Sequence, residues 1–420
     1  MSNKEYIENG TIAIDNDKIV FIGKSTSASN IQAEKQIQAK NMVAMPGLIN
    51  SHTHVAMTLF RGIAEDQPLD LWLKKFIWPL EAKLKPNDVY AGALLGCLEV
   101  IKGGTTCFAD IYFHEDMVAR AVCESGLRSA LAEGIIEGGS RFLGKVMLKR
   151  NVNFAKRFRG YADGRITTML GPHAAYSCSK ELLIKVCEEA NRLDAGLHVH
   201  LAESKVNFPS SRKKRELSEV EFLDSIGFFR RHLLAAHCIH LSSTDRRILS
   251  RHGVNVVHVP VANMKLGLGA AKIKDLMDLG VNVCLGTDGP ASNNSLDMFE
   301  TIKVAALLQK LIYKSPLAVS AYDALKMATI NGAKALGQER NTGSLEVGKK
   351  ADLILIDFSK PHLKPVHNVY ANLVFSAKAS DVDTVIVDGE ILMENRHVKI
   401  LDENDVMENA EKTAIDLLSR

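Results

Sequence analysis

The chain has 420 residues, of which 46% are hydrophobic and 24% are charged, and its formal net charge is +3. This length and composition are typical of an ordinary globular protein with a large core, organised as one big domain and a smaller one. The nearly neutral charge argues against a general role in binding nucleic acids or acidic membranes. No apolar run reaches the ~20 residues that a membrane-spanning helix needs. Seven scattered cysteines without a Cys-x-x-Cys pair, together with a polar N-terminus, indicate a cytoplasmic protein with reduced thiols and no signal peptide.

Both ends of the chain have the pattern of short β-strands. Residues 10–25 alternate apolar and polar positions around Asn16 and Asp17, which predicts a hairpin. Residues 343–358 and 382–398 have the same β character. Because neither end can form a stable sheet alone, we predict that both join in one small β-sandwich domain, formed from residues 1–46 and 341–420.

The region between the two ends, residues 47–340, alternates strand-like and helix-like segments. The apolar, β-rich runs that we interpret as strands are 43–54, 105–112, 128–135, 165–171, 196–201, 232–237, 254–260 and 281–287. Helical patterns lie between most of these runs, for example at 87–102, 180–193 and 244–251. The sequence therefore predicts an α/β fold, a (β/α)8 TIM-like barrel, whose chemistry lies at the C-terminal ends of the strands.

Metal-binding residue types follow the predicted strands. His52 and His54 are two residues apart, so both imidazoles face the same side of a strand. In the fifth run either His198 or His200 could be a ligand, and His200 is nearer the open end of the barrel. Asp288 follows the last run, where an aspartate can also be only a turn or N-cap residue. Taken together, His52, His54, His200 and Asp288 predict a site for a divalent metal, zinc or alternatively iron.

Two more polar residues lie beside this predicted site. Glu203 comes just after His200, where its carboxylate could act on a water molecule, although a surface glutamate is the simpler interpretation of that residue alone. His237 ends the sixth run and is either a core histidine or a site residue. The fourth run ends at His173 without the lysine that commonly bridges two metals in this architecture, so we predict one metal per subunit.

The combined motifs resemble those of the amidohydrolase superfamily, and more narrowly those of its methylthioadenosine/S-adenosylhomocysteine deaminases. The resemblance covers nearly the whole chain. Its most specific pieces are MPGLINSHTH, LWLKKFIWPLEAKL, GPHAAYSCS, HVHLAES, AAHCIHLS and GTDGPASNNSLDMFE. It implies a metal-dependent hydrolytic deaminase that converts an adenine nucleoside to the inosine-type product and ammonia, and it suggests a homo-oligomer.

The resemblance also implies a role for each matching residue. The metal ligands would be His52, His54, His200 and Asp288. Water attacks C6 of adenine, Glu203 moves a proton from that water to ring N1, Asp288 helps to deprotonate the water, and His237 stabilises the tetrahedral centre without binding the metal. Glu81 would bind the ribose hydroxyls, although by itself it reads as a helix-surface carboxylate. His173 would contact substrate, with a buried structural imidazole as the alternative.

The sequence departs from the family pattern at Glu133, where an arginine often holds the amino-acid carboxylate of S-adenosylhomocysteine. A glutamate there would repel that group, so we predict a preference for methylthioadenosine, 5′-deoxyadenosine or adenosine. Arg141 or Lys145 could compensate. The basic run at 212–215 is expected to be a solvated loop, with attraction of an anionic substrate as the alternative.

Two competing functions stay open on the sequence alone. A related hydrolase acting on guanine, cytosine or a triazine ring would need almost the same metal site. A non-catalytic scaffold should have lost ligands, whereas this chain keeps the complete predicted set together with Glu203.

Overall fold

The computed structural model describes residues 6–208, 216–230 and 232–420. Its strands, in chain order, are β1 (Gly10–Asp15), β2 (Lys18–Lys24), β3 (Met42–Pro46), β4 (Leu48–Thr53), β5 (Thr105–Tyr112), β6 (Arg128–Ile135), β7 (Ile166–Pro172), β8 (Gly196–Leu201), β9 (Asn207–Phe208), β10 (Leu217–Ser218), β11 (Leu233–His237), β12 (Asn255–His258), β13 (Asn282–Leu285), β14 (Leu353–Asp357), β15 (Val382–Val387), β16 (Glu390–Glu394) and β17 (His397–Val398).

Helices separate most of these strands. They are α1 (Leu69–Leu71), α2 (Trp78–Glu81), α3 (Pro86–Lys102), α4 (Glu115–Ser125), α5 (Arg141–Phe158), α6 (Lys180–Leu193), α7 (Glu219–Ser225), α8 (Ser243–Arg251), α9 (Pro260–Lys265), α10 (Ile273–Asp278), α11 (Met298–Tyr313), α12 (Ala321–Met327), α13 (Ile330–Ala335), α14 (Val369–Phe375) and α15 (Glu403–Ser419). In the described part of the chain, no helix combines the length and apolarity that crossing a membrane requires.

The central sheet is the predicted (β/α)8 barrel. Within the described residues it has eight parallel strands in the order β13-β12-β11-β8-β7-β6-β5-β4. Polar contacts join its first and last strands. The Asp288 backbone N–H donates to the His52 carbonyl oxygen at 3.0 Å. Thr287 N–H donates to Asn50 Oδ1 at 3.0 Å, and Asn50 Nδ2 donates to Thr287 Oγ1 at 2.7 Å. These bonds bring the end of β4 against the end of β13.

The barrel strands are buried on both faces, which explains why they read as continuous apolar runs. Small side chains such as Ala109, Ala130 and Ala132 fill the barrel interior, and the opposite strand faces pack against the helices. Buried polar residues also occur in these strands, and four in succession end β4, where Asn50, Ser51, His52 and Thr53 are all fully buried. Buried polar groups need polar partners, so this end of the barrel must hold a polar site.

Three predicted strand ranges, 105–112, 128–135 and 196–201, agree with the structure, and two others differ for identifiable reasons. The run 43–54 divides at Gly47, where a Cβ atom would come within 2.1 Å of the Thr106 side chain. On one side of Gly47, β3 pairs with β14, and on the other β4 enters the barrel. The run 254–260 ends early because Pro260 begins helix α9.

Both chain ends build the predicted small β domain. Strands β17, β16, β15, β14 and β3 form an antiparallel sheet in that order. The β1–β2 hairpin packs against this sheet through Ile12, Ile14 and Ile19, which share an apolar core with Leu353. We propose that the domain boundaries lie near residues 46 and 341, as predicted. The first boundary is supported by the change of strand partners between β3 and β4.

Ion pairs connect the terminal segments to the barrel. Buried Arg128 on β6 forms ion pairs with Asp352 at 2.8 Å and Asp388 at 2.9 Å. Helix α15 packs on barrel helix α3, where Lys102 Nζ lies 2.9 Å from a Glu403 carboxylate oxygen. The C-terminal helix therefore lies against the barrel wall.

Candidate active site

The structure brings the predicted metal-binding residues together at the C-terminal ends of the barrel strands. Ligand atoms of His52, His54 and His200 lie within 4.8 Å of one another, and so do those of His52, His237 and Asp288. Asp288 Oδ1 is 3.4 Å from His52 Nε2 and 3.2 Å from His54 Nε2. His200 Nε2 is 3.4 Å from His54 Nε2. Side chains from four strand ends thus face one small space.

Each of the three imidazoles is held by its outer nitrogen. The contacts are His52 Nδ1 to His198 Nε2 at 2.8 Å, His54 Nδ1 to the Ile111 carbonyl oxygen at 2.6 Å, and His200 Nδ1 to the His173 carbonyl oxygen at 2.9 Å. Such partners fix the orientation of a ligating histidine and leave the other nitrogen for the metal. Here every Nε2 atom faces the shared space.

The chemistry of this donor set fits a divalent cation. Among the described residues, the buried Nε2 atoms of His52 and His237 have no hydrogen-bond partner, which is costly unless something else occupies the space. Burial lowers the pKa of His52 to about 4 and the pKa of His200 well below its usual range, so both rings are neutral at pH 7. Burial opposes ionisation of Asp288, but its contacts with His52 and His54 hold its pKa well below its usual range. Neutral imidazoles and an ionised carboxylate are the forms that bind metals.

The protonation of His54 fits the same interpretation. Burial opposes a charge on this ring, but the carboxylates of Asp288 and Asp110 outweigh burial and raise the pKa of His54 to about 9. Without a cation the site therefore holds a proton on His54. Metal binding at such a site is expected to release that proton.

Glu203 and His237 lie beside the cluster. His237 Nδ1 is 2.8 Å from Asn263 Oδ1, and His237 Nε2 is 3.8 Å from Glu203 Oε1. Both residues line the same pocket as His54, His200 and Asp288. Burial raises the pKa of Glu203, and the neighbouring His237 partly offsets that rise.

Three residues at these strand ends adopt left-handed backbone conformations, which non-glycine residues rarely do. The φ angles are +49° at Ala202, +71° at His237 and +67° at Asp288. Conformations of this kind cost free energy and cluster at functional sites.

The pocket above the cluster is mostly apolar. A short α–π–α segment forms one wall: α1 is followed by a π-helix at Trp72–Ile77 and then by α2. Trp72, Trp78 and Glu81 from this segment line the pocket. Burial raises the pKa of Glu81 to about 7, and neighbouring Tyr112 and His54 moderate the rise. Glu81 therefore faces the pocket and is not the surface carboxylate that its sequence context alone would suggest.

His173 also lines the pocket. Its Nδ1 lies 2.9 Å from Ser177 Oγ, and burial lowers its pKa to about 3, so the ring is neutral. The carbonyl oxygen of the same residue holds His200. His173 thus links the pocket wall to the histidine cluster.

Glu133 does not face the pocket, and the expectation that it repels a substrate carboxylate is wrong. Its neighbour Gly134 lines the pocket, and successive strand residues point to opposite sides. Buried Glu133 instead accepts from the backbone N–H of Glu115 at 2.8 Å, at the start of α4, and pairs with Arg150 at 2.7 Å. A carboxylate at that position stabilises the helix N-terminus.

Arg141 and Lys145, which the sequence offered as partners for a substrate carboxylate, do not line the described part of the pocket. Among residues 6–208, 216–230 and 232–420, no lysine or arginine lines it, so neither Arg141 nor Lys145 does. The basic run at 212–215 lies outside the described residues.

Sequence reasoning missed two neighbours of the site. Asn263 contacts His237, and Tyr112 lines the pocket beside Glu81. Tyr112 ends strand β5, so its position at a strand end was the available signal. Asn263 lies in helix α9 and carried no distinguishing signal.

Comparison with known proteins identifies the family. The amidohydrolase family matches residues 43–392. The chain belongs to the amidohydrolase family. It is a hydrolase, as the sequence motifs predicted, and the histidine and aspartate cluster supports the binding of a divalent metal.

The most informative relatives are deaminases. A 5′-deoxyadenosine deaminase from Methanosarcina acetivorans is 51% identical over 414 residues, which cover 99% of this chain and 95% of the relative. A 5-methylthioadenosine/S-adenosylhomocysteine deaminase from Dictyoglomus thermophilum is 48% identical, with coverages of 99% and 96%.

Solved structures share the fold. An adenosine deaminase from Xanthomonas campestris with bound zinc superposes with a TM-score of 0.94 at 32% identity, covering 99% of this chain and 95% of that one. A zinc-containing atrazine chlorohydrolase from Arthrobacter aurescens has a TM-score of 0.86 at 25% identity, with coverages of 97% and 96%.

Proposed function

We propose that this amidohydrolase deaminates adenine nucleosides hydrolytically, with 5′-deoxyadenosine or 5′-methylthioadenosine as its preferred substrate. The observation that carries the proposal is the convergence of His52, His54, His200 and Asp288 beneath a buried pocket that also contains Glu203. Two relatives that are about 50% identical to this chain are named as deaminases of such nucleosides. Their names agree with the predicted reaction class.

We assign the metal to His52, His54, His200 and Asp288, and we favour Zn²⁺ over Fe²⁺. Imidazole nitrogens and a carboxylate oxygen are common zinc ligands, and the adenosine deaminase that superposes on this chain contains zinc. His237 also lies close to His52 and Asp288. We leave it out of the ligand set because the family resemblance implies that this histidine contacts the attacking water and not the metal, and its Nε2 lies 3.8 Å from Glu203 Oε1. A divalent cation at this site would lower the pKa of water from 15.7 toward ~7, which supplies a nucleophile at neutral pH.

The carboxylates can divide the proton transfers because their environments differ. Burial raises the pKa of Glu203, which suits a group that takes a proton and then donates it to ring N1. Asp288 is held ionised by its histidine neighbours, which suits an acceptor of the second proton on its way to the leaving ammonia. His237 stabilises charge at the attacked carbon from a fixed position.

The pocket wall supports a neutral nucleoside as substrate. Glu81 is the carboxylate available to accept hydrogen bonds from the ribose hydroxyls, and His173 is placed to contact the substrate. Apolar side chains such as Leu73, Phe113 and Ile136 make up much of the remaining wall. Because no described cation lines the pocket, a methyl or methylthio group at the 5′ position is favoured over the charged amino-acid tail of S-adenosylhomocysteine.

A panel of substrates tests the proposal. Zinc-loaded enzyme is assayed for ammonia release from 5′-deoxyadenosine, 5′-methylthioadenosine, adenosine and S-adenosylhomocysteine, and then from guanine and cytosine. Hydrolysis of a chlorinated triazine is measured as chloride release. We expect the first two compounds to have the highest kcat/KM. A kcat/KM that is highest for S-adenosylhomocysteine would refute the specificity, and turnover of only the other rings would refute the function.

Variants at two positions test the assigned roles. Asp288→Asn should abolish turnover. Glu81→Gln should lower kcat/KM for 5′-deoxyadenosine by about 10- to 150-fold, because hydrogen bonds to charged groups contribute roughly 1.5–3 kcal/mol. The same change should matter much less for a substrate analogue without the 2′ and 3′ hydroxyls. An equal loss on both substrates would remove Glu81 from ribose binding.

Two further features of the proposal concern the protein as a whole. We propose a homo-oligomer, as the family resemblance suggests, and light scattering of the purified protein would measure its mass. The cytoplasmic location also stays a prediction, which the free state of all seven cysteines supports.

A further inference from the structure

One buried carboxylate outside the pocket connects two loops of the active site. Glu219 is the first residue of helix α7, and it is only 5% exposed. Its Oε1 accepts from the Ala175 backbone N–H at 3.3 Å, and its Oε2 accepts from the Ala202 backbone N–H at 2.8 Å. Glu219 does not itself line the pocket.

The two loops carry proposed catalytic and binding residues. Ala175 lies in the loop after β7, between the pocket residues His173 and Tyr176. Ala202 lies in the loop after β8 and directly precedes Glu203. A single side chain therefore bridges the wall that contacts substrate and the loop of the residue proposed to move protons.

Ala202 is the position where such a restraint is most needed. Its φ of +49° is unfavourable for a residue with a Cβ atom, so other contacts must hold it there. Glu219 binds its N–H, and its carbonyl oxygen accepts from the N–H groups of Ile239 at 3.1 Å and His240 at 3.0 Å. The Ala202 backbone is therefore held at its N–H group by α7 and at its carbonyl oxygen by the loop after β11.

We propose that Glu219 is a positioning residue, which holds the backbone of Ala202 so that the Glu203 carboxylate faces the metal cluster and the His173 loop stays at a fixed distance from it. The inference rests on the proposed function, because it assigns Glu219 to the same reaction. The backbone N–H groups of Ala175 and Ala202 each need a hydrogen-bond acceptor. A glutamine can offer one oxygen, but its NH2 group would face the second N–H and lose that bond.

Activity measurements compare Glu219→Gln with a matched control, Glu221→Gln. Glu221 lies in the same helix, is also buried, and accepts from the Ser218 N–H at 3.1 Å, but that bond caps α7 and touches neither loop. Misplacement of a catalytic group by about 1 Å can cost roughly 100-fold in rate. We expect Glu219→Gln to lower kcat by about 10- to 100-fold with KM changed less than about 3-fold, whereas Glu221→Gln keeps kcat within about 3-fold.

A double-mutant cycle separates positioning from general destabilisation. If Glu219 acts through Glu203, then Glu219→Gln should lower the residual turnover of a Glu203→Gln enzyme by less than about 3-fold. Losses that multiply fully in the double variant would overturn the proposal. Equal kcat values for Glu219→Gln and Glu221→Gln would overturn it as well.

Amide hydrogen exchange gives a readout that does not depend on catalysis. Exchange at Ala202 and Ala175 should accelerate in Glu219→Gln and not in Glu221→Gln, and zinc content should be unchanged in both. Unaltered exchange at both amides would contradict the proposed restraint. Glu219→Asp, which keeps the charge on a shorter side chain, should show the same changes to a smaller extent and replaces the glutamine variant if that variant does not fold.

These readouts distinguish the two proposals. If the wild-type enzyme deaminates no adenine nucleoside, the proposed function fails and this inference fails with it. If the wild-type enzyme is active but Glu219→Gln matches Glu221→Gln in kcat and exchange, only the role of Glu219 fails.

Discussion

Gly286 allows the last barrel strand to approach the first metal-binding strand, and Gly286→Ala should weaken metal binding. A Cβ atom at this position would lie 2.8 Å from both the Cβ and the carbonyl oxygen of His52, and 2.9 Å from its backbone nitrogen. None of these atoms belongs to the movable end of a side chain. The added methyl group must therefore push the backbone of His52 away from β13.

The strain free energy that Gly286→Ala introduces sets upper and lower limits on the loss of zinc affinity. Overpacking a close contact costs about 1–3 kcal/mol. Without metal, His52 can move away and relieve the strain. With metal bound, the His52 ring must return to the position that faces Asp288, 3.4 Å away. If all the strain falls on the metal-bound state, zinc affinity decreases by about 5- to 150-fold, since 1.4 kcal/mol corresponds to a factor of ten.

Zinc affinity is measured by competition with a chromophoric chelator, and Gly332→Ala is the matched control. A Cβ atom at Gly332 would lie 2.9 Å from the Ile49 side chain and 3.2 Å from Ser51 Oγ on the same strand β4, and none of these nearest atoms belongs to a proposed ligand. We expect both variants to have a lower Tm and only Gly286→Ala to bind zinc more weakly. A wild-type zinc dissociation constant for Gly286→Ala would refute the reasoning.

Three other predictions concern the metal and the connection between the domains. His198→Phe should weaken zinc binding by about 10- to 100-fold because His52 loses its orienting partner, and His198→Gln, which keeps an acceptor, should lose less; equal affinities would contradict this. Arg128→Met should destabilise the fold by about 3–5 kcal/mol by leaving buried Asp352 without its cation, whereas Asp388 keeps its ion pair with Lys350; calorimetry would show an unchanged Tm if the Arg128–Asp352 pair contributes nothing. Removing zinc should abolish turnover. It should also lower the Tm by about 5 °C relative to enzyme at a free zinc concentration 1,000 times the dissociation constant, because binding at that concentration adds about 4 kcal/mol to the free energy of unfolding. A Tm independent of zinc would argue against binding at this site.

The ligand set shows how far the sequence could be interpreted without a structure. His52, His54, His200 and Asp288 each follow an apolar run, and parallel strands of a closed barrel end at the same rim. Their meeting could therefore be predicted from strand order alone. The choice of His200 over His198 followed from distance to the strand end, and the structure places the His200 ring in the cluster and His198 behind His52.

Glu133 and Glu219 show what could not be predicted. Both are glutamates near strand or helix ends, with nothing in the adjacent sequence that says which way they point. Glu133 lies on the outward side of β6 and caps α4, whereas Glu219 reaches under two loops from a helix that follows β10. The direction of a single side chain depends on which elements pack against it.

The sequence by itself determined the alternation of strands and helices, the family, and the residue types at each strand end, because local hydrophobic periodicity and short motifs are properties of neighbouring residues. The tertiary structure decided which nitrogen of each histidine faces the metal site, that Glu81 lines the pocket, and that Glu133 is excluded from it. Those outcomes depend on hydrogen bonds and packing between residues far apart in the chain, and only the closed barrel brings these residues within reach of one another.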